Sequence, residues 1–203
     1  MECNLETAVS VVNEGGVIVY PTDTVYGLGA DAENRTAVER IYRIKKRPID
    51  QPLSILLADA LELFRVSSAI PDVAWILAEH FWPGGLTMVV EKSTFIPGWV
   101  TSGGNTVAVR VPDHPLTIRL IRETGMPLIG TSANFSGLPS ATTAEEARRQ
   151  LGGDIDFILD GGRCPGGIES TVVDVTGQNP VILREGSIPT GLIEAVCRLS
   201  LRE

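Results

Sequence analysis

The chain reads as a mixed α/β (α+β) domain, a twisted mixed β-sheet with helices packed around it. Three observations predict this. Stretches with apolar residues at helical spacing interleave with short runs rich in Val, Ile and Leu. The interleaving lacks the strict strand–helix–strand rhythm of an all-parallel sheet. The 203 residues, 43% hydrophobic and 21% charged, give a globular profile and enough chain to bury a core. No repeat, low-complexity tract or long linker divides the sequence, so residues 1–203 are read as one domain.

Leu5, Ala8, Val9 and Val12 have helical spacing and stop at Gly15-Gly16, a C-cap signal. Val17–Tyr20 reads as a buried strand, followed by a polar, glycine-containing loop over residues 21–29. A helix is expected from Thr36 to Ile44, then the basic Lys45-Lys46-Arg47-Pro48, then a strand over Leu53–Leu57. The next helix, Asp72–Phe81, must break at Trp82-Pro83-Gly84-Gly85. Strands follow at Leu86–Val90 and Thr106–Val111, with a long Gly/Pro loop between them. Pro115–Glu123 reads as a helix ending at Gly125, and Pro127–Thr131 as a strand running into Ser132-Ala133-Asn134. Thr143-x-x-Glu146 is a capping box opening a helix that runs to Gly152-Gly153. Phe157–Leu159 is a strand, and Gly161–Gly167 a flexible connector of the kind lids use. Ser170–Val175 and Val181–Leu183 complete the strands, and Leu192–Leu199 is the last helix.

Composition removes several function classes. Cys3, Cys164 and Cys197 are far apart and form no C-x-x-C, which argues against a disulfide framework. His80 and His114 cannot build a histidine-rich zinc site. No apolar run reaches the roughly 18 residues of a membrane helix, and the N-terminus is acidic where a signal peptide is basic. The expected location is the cytoplasm. A net charge of −8 argues against a nucleic-acid-binding module and predicts weak tRNA binding at most. P-loop, dinucleotide-binding and nucleophile-elbow motifs are all missing.

What remains is a set of hydroxyl and basic side chains at expected strand ends and loops: Thr22, Thr24, Lys45, Arg47, Thr106, Arg110, Ser132, Asn134, Ser170 and Arg184. Arginine grips carboxylate or phosphate with two parallel hydrogen bonds, and lysine supplies a point charge. Such a set suits an amino acid and a polyphosphate. Singly, each has a bland reading. Lys45-Lys46-Arg47 can be a solvated helix end, Ser132-Ala133-Asn134 a turn, and Arg110 an edge-strand charge.

Their conjunction is more specific. Pro21-Thr-Asp-Thr-Val-Tyr-Gly-Leu28, Lys45-x-Arg47-Pro48 with Pro52-Leu53-Ser54, Ser132-Ala-Asn134-x-Ser136-Gly137 and Ser170-Thr-Val-Val-Asp174 occur in this order. The set resembles the YrdC-type threonylcarbamoyl-AMP synthase family, in a short, single-domain form. The resemblance implies a YrdC-like domain with a deep, positively charged cleft. It implies synthesis of threonylcarbamoyl-AMP and pyrophosphate from L-threonine, bicarbonate and ATP, for threonylcarbamoyladenosine modification of tRNA. On this sequence, Thr24, Arg110, Gly130 and Ser170 would contact threonine. Arg47, Gln51, Thr106, Ser132, Asn134, Ser140 and Arg184 would contact ATP, with Lys45 and Arg47 as the catalytic pair. Mg2+ would accompany ATP, bound mainly through phosphate oxygens, and no resident metal site is expected. The product would pass to a tRNA threonylcarbamoyl-transferase complex. The sequence departs from the pattern at Leu56, where some relatives carry histidine, and its 203 residues are expected to hold no counterpart of the C-terminal domain and linker of longer relatives. The alternatives are a paralogue with another carbamoyl or acyl substrate, or an RNA-binding module.

Overall fold

The structure, a computed structural model, describes residues 2–200; the side chains of Glu2, Cys3, Leu199 and Ser200 lie outside those described. Helix α1 (Glu2–Asn13) buries Leu5, Ala8 and Val12, and the chain turns at Gly15 with φ +83°. That left-handed conformation costs little in glycine. The three residues of β1 (Ile18–Tyr20) are fully buried.

The expected loop after β1 is shorter than the sequence suggested. Its last residues form β2 (Gly27–Gly29), antiparallel to β1 with Tyr20 opposite Gly27 and Ile18 opposite Gly29. Glycine is usually poor in strands, but here it makes room. A Cβ on Gly27 would stand 2.6 Å from Cζ of Tyr20, and one on Gly29 2.7 Å from Cε1 of the same ring. Gly27→Ala is therefore expected to destabilise the protein by about 1–3 kcal/mol through overpacking. Urea unfolding checks this, and an unchanged midpoint would show that the Tyr20 ring has room to move.

Helix α2 (Arg35–Lys45) is capped by Asn34, whose side chain accepts a hydrogen bond from the Ala37 N–H, and it ends at Lys46 with φ +52°. Its inner face carries Ala37, Val38, Ile41 and Ile44, and at the last position Lys45. Strand β3 (Ser54–Leu56) follows. Two short elements absent from the sequence reading come next, α3 (Leu63–Val66) and β4 (Ser67–Ala69); neither is long enough to show a period. Helix α4 spans Asp72–Phe81 as expected, and β5 (Leu86–Lys92) and β6 (Thr106–Arg110) pair antiparallel. Helix α5 (Pro115–Thr124) closes at Gly125.

The single strand expected over Pro127–Thr131 is two. β7 (Leu128–Ile129) joins one sheet and β8 (Thr131–Ser132) the other, with Gly130 alone between them. Helix α6 (Ala144–Leu151) has the expected Thr143 cap bonded to the Glu146 N–H. The reciprocal bond of a capping box is displaced, because the Glu146 carboxylate accepts from Thr142 N–H and Oγ instead. β9 (Phe157–Ile158), β10 (Thr171–Asp174), β11 (Val181–Arg184) and α7 (Thr190–Ser200) complete the chain. The Gly161–Gly167 connector is tied down: Cys164 is buried, and the N–H groups of Gly166 and Gly167 bond to Asp23 and Thr24 carbonyls.

The strands divide into a four-stranded sheet, β8-β2-β1-β9, and a seven-stranded sheet, β11-β10-β5-β6-β3-β7, with β4 also on β5. Both mix parallel and antiparallel pairs, as the expected class requires. No helix among the described residues is long and apolar enough to cross a membrane.

Candidate active site

Strand alternation builds one wall of a cleft. Residues two apart share a face of a sheet. The seven-stranded sheet turns Ser54 and Leu56 of β3, Thr87 and Val89 of β5, Ala108 and Arg110 of β6, and Ser170 and Val172 at β10 toward one cavity of about 650 Å3. The register agrees, with Ser54 opposite Ala108 and Leu56 opposite Arg110. The other wall comes from the Tyr20–Gly27 turn, β8 and the Asn134–Leu138 loop, and Lys45 and Arg47 close one side. A cavity of this size is typical of small-ligand sites.

At the deep end lies Arg110, 8% exposed at its side chain. Its Nε donates to the Gly84 carbonyl at 2.8 Å, one terminal nitrogen to Thr24 Oγ at 2.9 Å, and the other to the Asp23 carboxylate at 2.5 Å. Burial pushes its pKa down, and the Asp23 charge opposes that. Five N–H groups are available to a guanidinium, so each terminal nitrogen keeps one N–H beyond these bonds. Thr22 fixes the loop: its Oγ accepts from the N–H groups of Thr24 and Val25 and donates to the Val25 carbonyl. Thr87 and Ser170 hydroxyls meet at 2.7 Å nearby. Between the two ends, Gly130 packs on Leu56, and a Cβ at Gly130 would stand 2.6 Å from Leu56 Cγ.

The other end is basic. Lys45, 2% exposed, donates from Nζ to the Ser132 carbonyl, to the Asn134 carbonyl at 2.9 Å and to Asn134 Oδ1 at 3.1 Å. Burial, and then the Arg47 charge, push its pKa down to about 8. Arg47 donates to the Gln51 and Pro52 carbonyls, which holds the loop after α2 against the rim. Arg184 donates to the Ser170 carbonyl at 2.9 Å and to Glu169 at 2.6 Å. Burial pushes the Glu169 carboxyl up, but the Ser140 hydrogen bond and the charges of Arg184 and Lys45 outweigh it and hold the group below its usual range. Among lining side chains, Lys45, Arg47, Arg110 and Arg184 are basic and Glu169 alone is acidic. A chain of net charge −8 thus turns an electropositive cavity toward its ligand. Among the described residues, no three His, Cys, Asp or Glu side chains group as a metal site.

The profile of the family Sua5_yciO_yrdC, described as telomere recombination, matches residues 10–186. The chain belongs to this Sua5/YciO/YrdC family. Its relatives include a threonylcarbamoyl-AMP synthase of Pyrococcus abyssi, 44% identical over 96% of this chain and 57% of that protein. Another is a threonylcarbamoyl-AMP synthase of Bacillus subtilis, 46% identical over 93% of this chain and 55% of that protein. The chain thus spans little more than half the length of these two relatives. P. abyssi Sua5 complexed with L-threonine superposes with a TM-score of 0.94 at 43% identity, covering 97% of this chain and 58% of that one. E. coli YciO gives 0.84 at 33% identity, covering 92% and 90%.

In this Sua5/YciO/YrdC member, most of the residues singled out from sequence converge on the cavity. Thr24, Lys45, Arg47, Gln51, Arg110, Gly130, Ser132, Asn134, Ser170 and Arg184 all line it. Thr106 and Ser140 do not. Thr106 shares the face of Ala108 and Arg110 but lies further along β6, exposed and opposite Glu91. Ser140 stands behind Glu169 and donates to it at 2.6 Å. Sequence reasoning missed Asp23 as the Arg110 partner and Glu169 as a lining group. Asp23 sits inside the Pro21–Leu28 motif, which was the available signal; Glu169 precedes Ser170 without any local pattern.

Proposed function

We propose that this chain is an L-threonylcarbamoyladenylate synthase, with L-threonine, bicarbonate and ATP as substrates. The observation that carries this reading is a single cavity with two chemically different ends. One end offers a buried guanidinium among Thr24, Thr87 and Ser170 hydroxyls, and the other offers Lys45, Arg47 and Arg184. The first end suits an amino acid, with Arg110 on the α-carboxylate and Thr24, Gly130 and Ser170 around it. The second suits a triphosphate, with Arg47, Gln51, Ser132, Asn134 and Arg184 as contacts. Thr106 and Ser140 belong to the same ATP assignment at longer range. The relatives named threonylcarbamoyl-AMP synthase and the threonine complex of P. abyssi Sua5 support the reading.

In this reading the threonine amine and bicarbonate combine to a carbamate with loss of water. A carbamate oxygen attacks the α-phosphorus of ATP, the bond to the β-phosphate oxygen breaks, and pyrophosphate leaves. No covalent enzyme intermediate is needed, so the protein's work is placement and charge stabilisation. Lys45 already uses its three N–H groups on Ser132 and Asn134, so it acts as a fixed charge that also sets the Ser132–Asn134 backbone. Magnesium arrives as part of the substrate, MgATP. The product, a mixed anhydride, would pass to a tRNA-modifying transferase.

ATP–pyrophosphate exchange tests the reading. Label should enter ATP only when threonine and bicarbonate are both present. Equal ATP cleavage without either co-substrate would mark a plain ATPase and end the proposal.

A further inference from the structure

Glu169 is the one acidic side chain lining an otherwise basic cavity, and no role assigned above uses it. Its two oxygens are engaged by the groups expected to serve ATP. One accepts from Ser140 Oγ at 2.6 Å and the other from an Arg184 terminal nitrogen at 2.6 Å. Lys45 stands close enough to act on it electrostatically, and the Ser132 hydroxyl acts on it as a hydrogen-bond donor. The carboxylate therefore sits on the donor set that a phosphate would need. Its side chain is 34% exposed, so a ligand in the cavity can reach it. The Glu169 backbone is fixed, because its carbonyl accepts from the Ser187 N–H at 2.8 Å.

A bare triphosphate entering here would place a second anion beside Glu169 and compete for the same donors. Like charges a few ångströms apart in a partly desolvated site repel strongly. A divalent cation between them turns that repulsion into a bridge. Magnesium prefers oxygen ligands and is usually held by one or two carboxylates together with substrate phosphates.

We propose that Glu169 makes the cleft selective for magnesium-complexed ATP over free ATP. The carboxylate opposes the free triphosphate. When the ion arrives with the nucleotide, Glu169 would supply it an oxygen ligand, which leaves Arg184 available to the phosphates. Glu169 thus determines which form of the nucleotide binds, and the proposal rests on the nucleotide reading above.

The test is calorimetric titration of ATP into wild type and Glu169→Gln, without threonine, in excess Mg2+ and again in EDTA. Wild type should lose about tenfold or more in affinity when Mg2+ is removed, equivalent to 1.4 kcal/mol or more. Glu169→Gln should bind free ATP about tenfold more tightly than wild type, and at least as tightly as it binds MgATP. Glu169→Asp keeps the charge with a shorter reach. It should resist free ATP as wild type does while losing most of the magnesium gain. Equal magnesium dependence in wild type and Glu169→Gln would overturn the proposal. So would a uniform weakening in Glu169→Gln with and without Mg2+, which is what a carboxylate that merely props Ser140 and Arg184 would give. No ATP binding to wild type in either buffer would refute the nucleotide reading itself, and the selectivity with it.

Discussion

Arg110→Met is expected to lower stability by about 3–5 kcal/mol, because it strands the Asp23 carboxylate without its counter-charge. The pair is well shielded, with side-chain exposures of 8% for Arg110 and 18% for Asp23. The only other hydrogen bond described for the Asp23 carboxylate comes from the Asp113 N–H at 3.0 Å. Removing both charges should cost less than the sum of the single changes, since neither partner is then left unpaired. Urea unfolding of Arg110→Met, Asp23→Asn and the double variant measures the coupling, and strictly additive losses would contradict the pair's importance. The milder Arg110→Lys tests the ligand assignment. A lysine keeps the charge but cannot serve Gly84, Thr24, Asp23 and a carboxylate fork together. Charge-assisted hydrogen bonds contribute about 1.5–3 kcal/mol, so threonine should bind roughly ten- to a hundred-fold more weakly, with ATP affinity little changed. A loss confined to ATP would show that this arginine serves ATP and not threonine.

Lys45 should give opposite pH trends in stability and in nucleotide binding. Its pKa in the folded chain is pushed down to about 8 from the ordinary lysine value of 10.5. A lysine lowered on folding disfavours the folded state while it is charged. The penalty is complete below pH 8 and is relieved as pH rises through 8 toward the unfolded value, because the unfolded chain binds more protons there. The relief is on the order of 3 kcal/mol. ATP binding should move the other way. Loss of the ammonium charge weakens attraction to phosphate, so affinity should fall about tenfold between pH 7 and pH 9. Lys45→Met should flatten both trends between pH 7 and pH 10. It should also weaken ATP binding at pH 7, because the Ser132 and Asn134 carbonyls lose their common donor. Denaturation and titration series across this range check the prediction, and parallel slopes in variant and wild type would refute it.

The long elements were legible because their periodicity is strong. Helix α4 occurs over the expected Asp72–Phe81, and α5 closes at the expected Gly125. The strand at residues 27–29 was not legible, since glycine is depleted in strands; its reason is the close approach of the Tyr20 ring to Gly27 and of the Ile129 carbonyl to Gly29, contacts no local pattern encodes. Site residues within dense motifs, such as Thr24 and Ser132, could be picked out because hydroxyls at strand ends are informative. Glu169 could not, because a single acidic residue beside Ser170 looks like any solvated charge until the fold brings Arg184 and Ser140 to it.

The split at Gly130 has a mechanical consequence. Leu128–Ile129 belongs to one sheet and Thr131–Ser132 to the other, so the two walls share a covalent tie one residue long. The same place is pinned further: Ile129 N–H donates to the Ala30 carbonyl, Tyr20 Oη donates to the Ile129 carbonyl, and Asp31 bridges to Leu128. The two walls are therefore joined most tightly beside Gly130 and Leu56, while the rim residues Gln51, Leu138 and Leu183 are exposed.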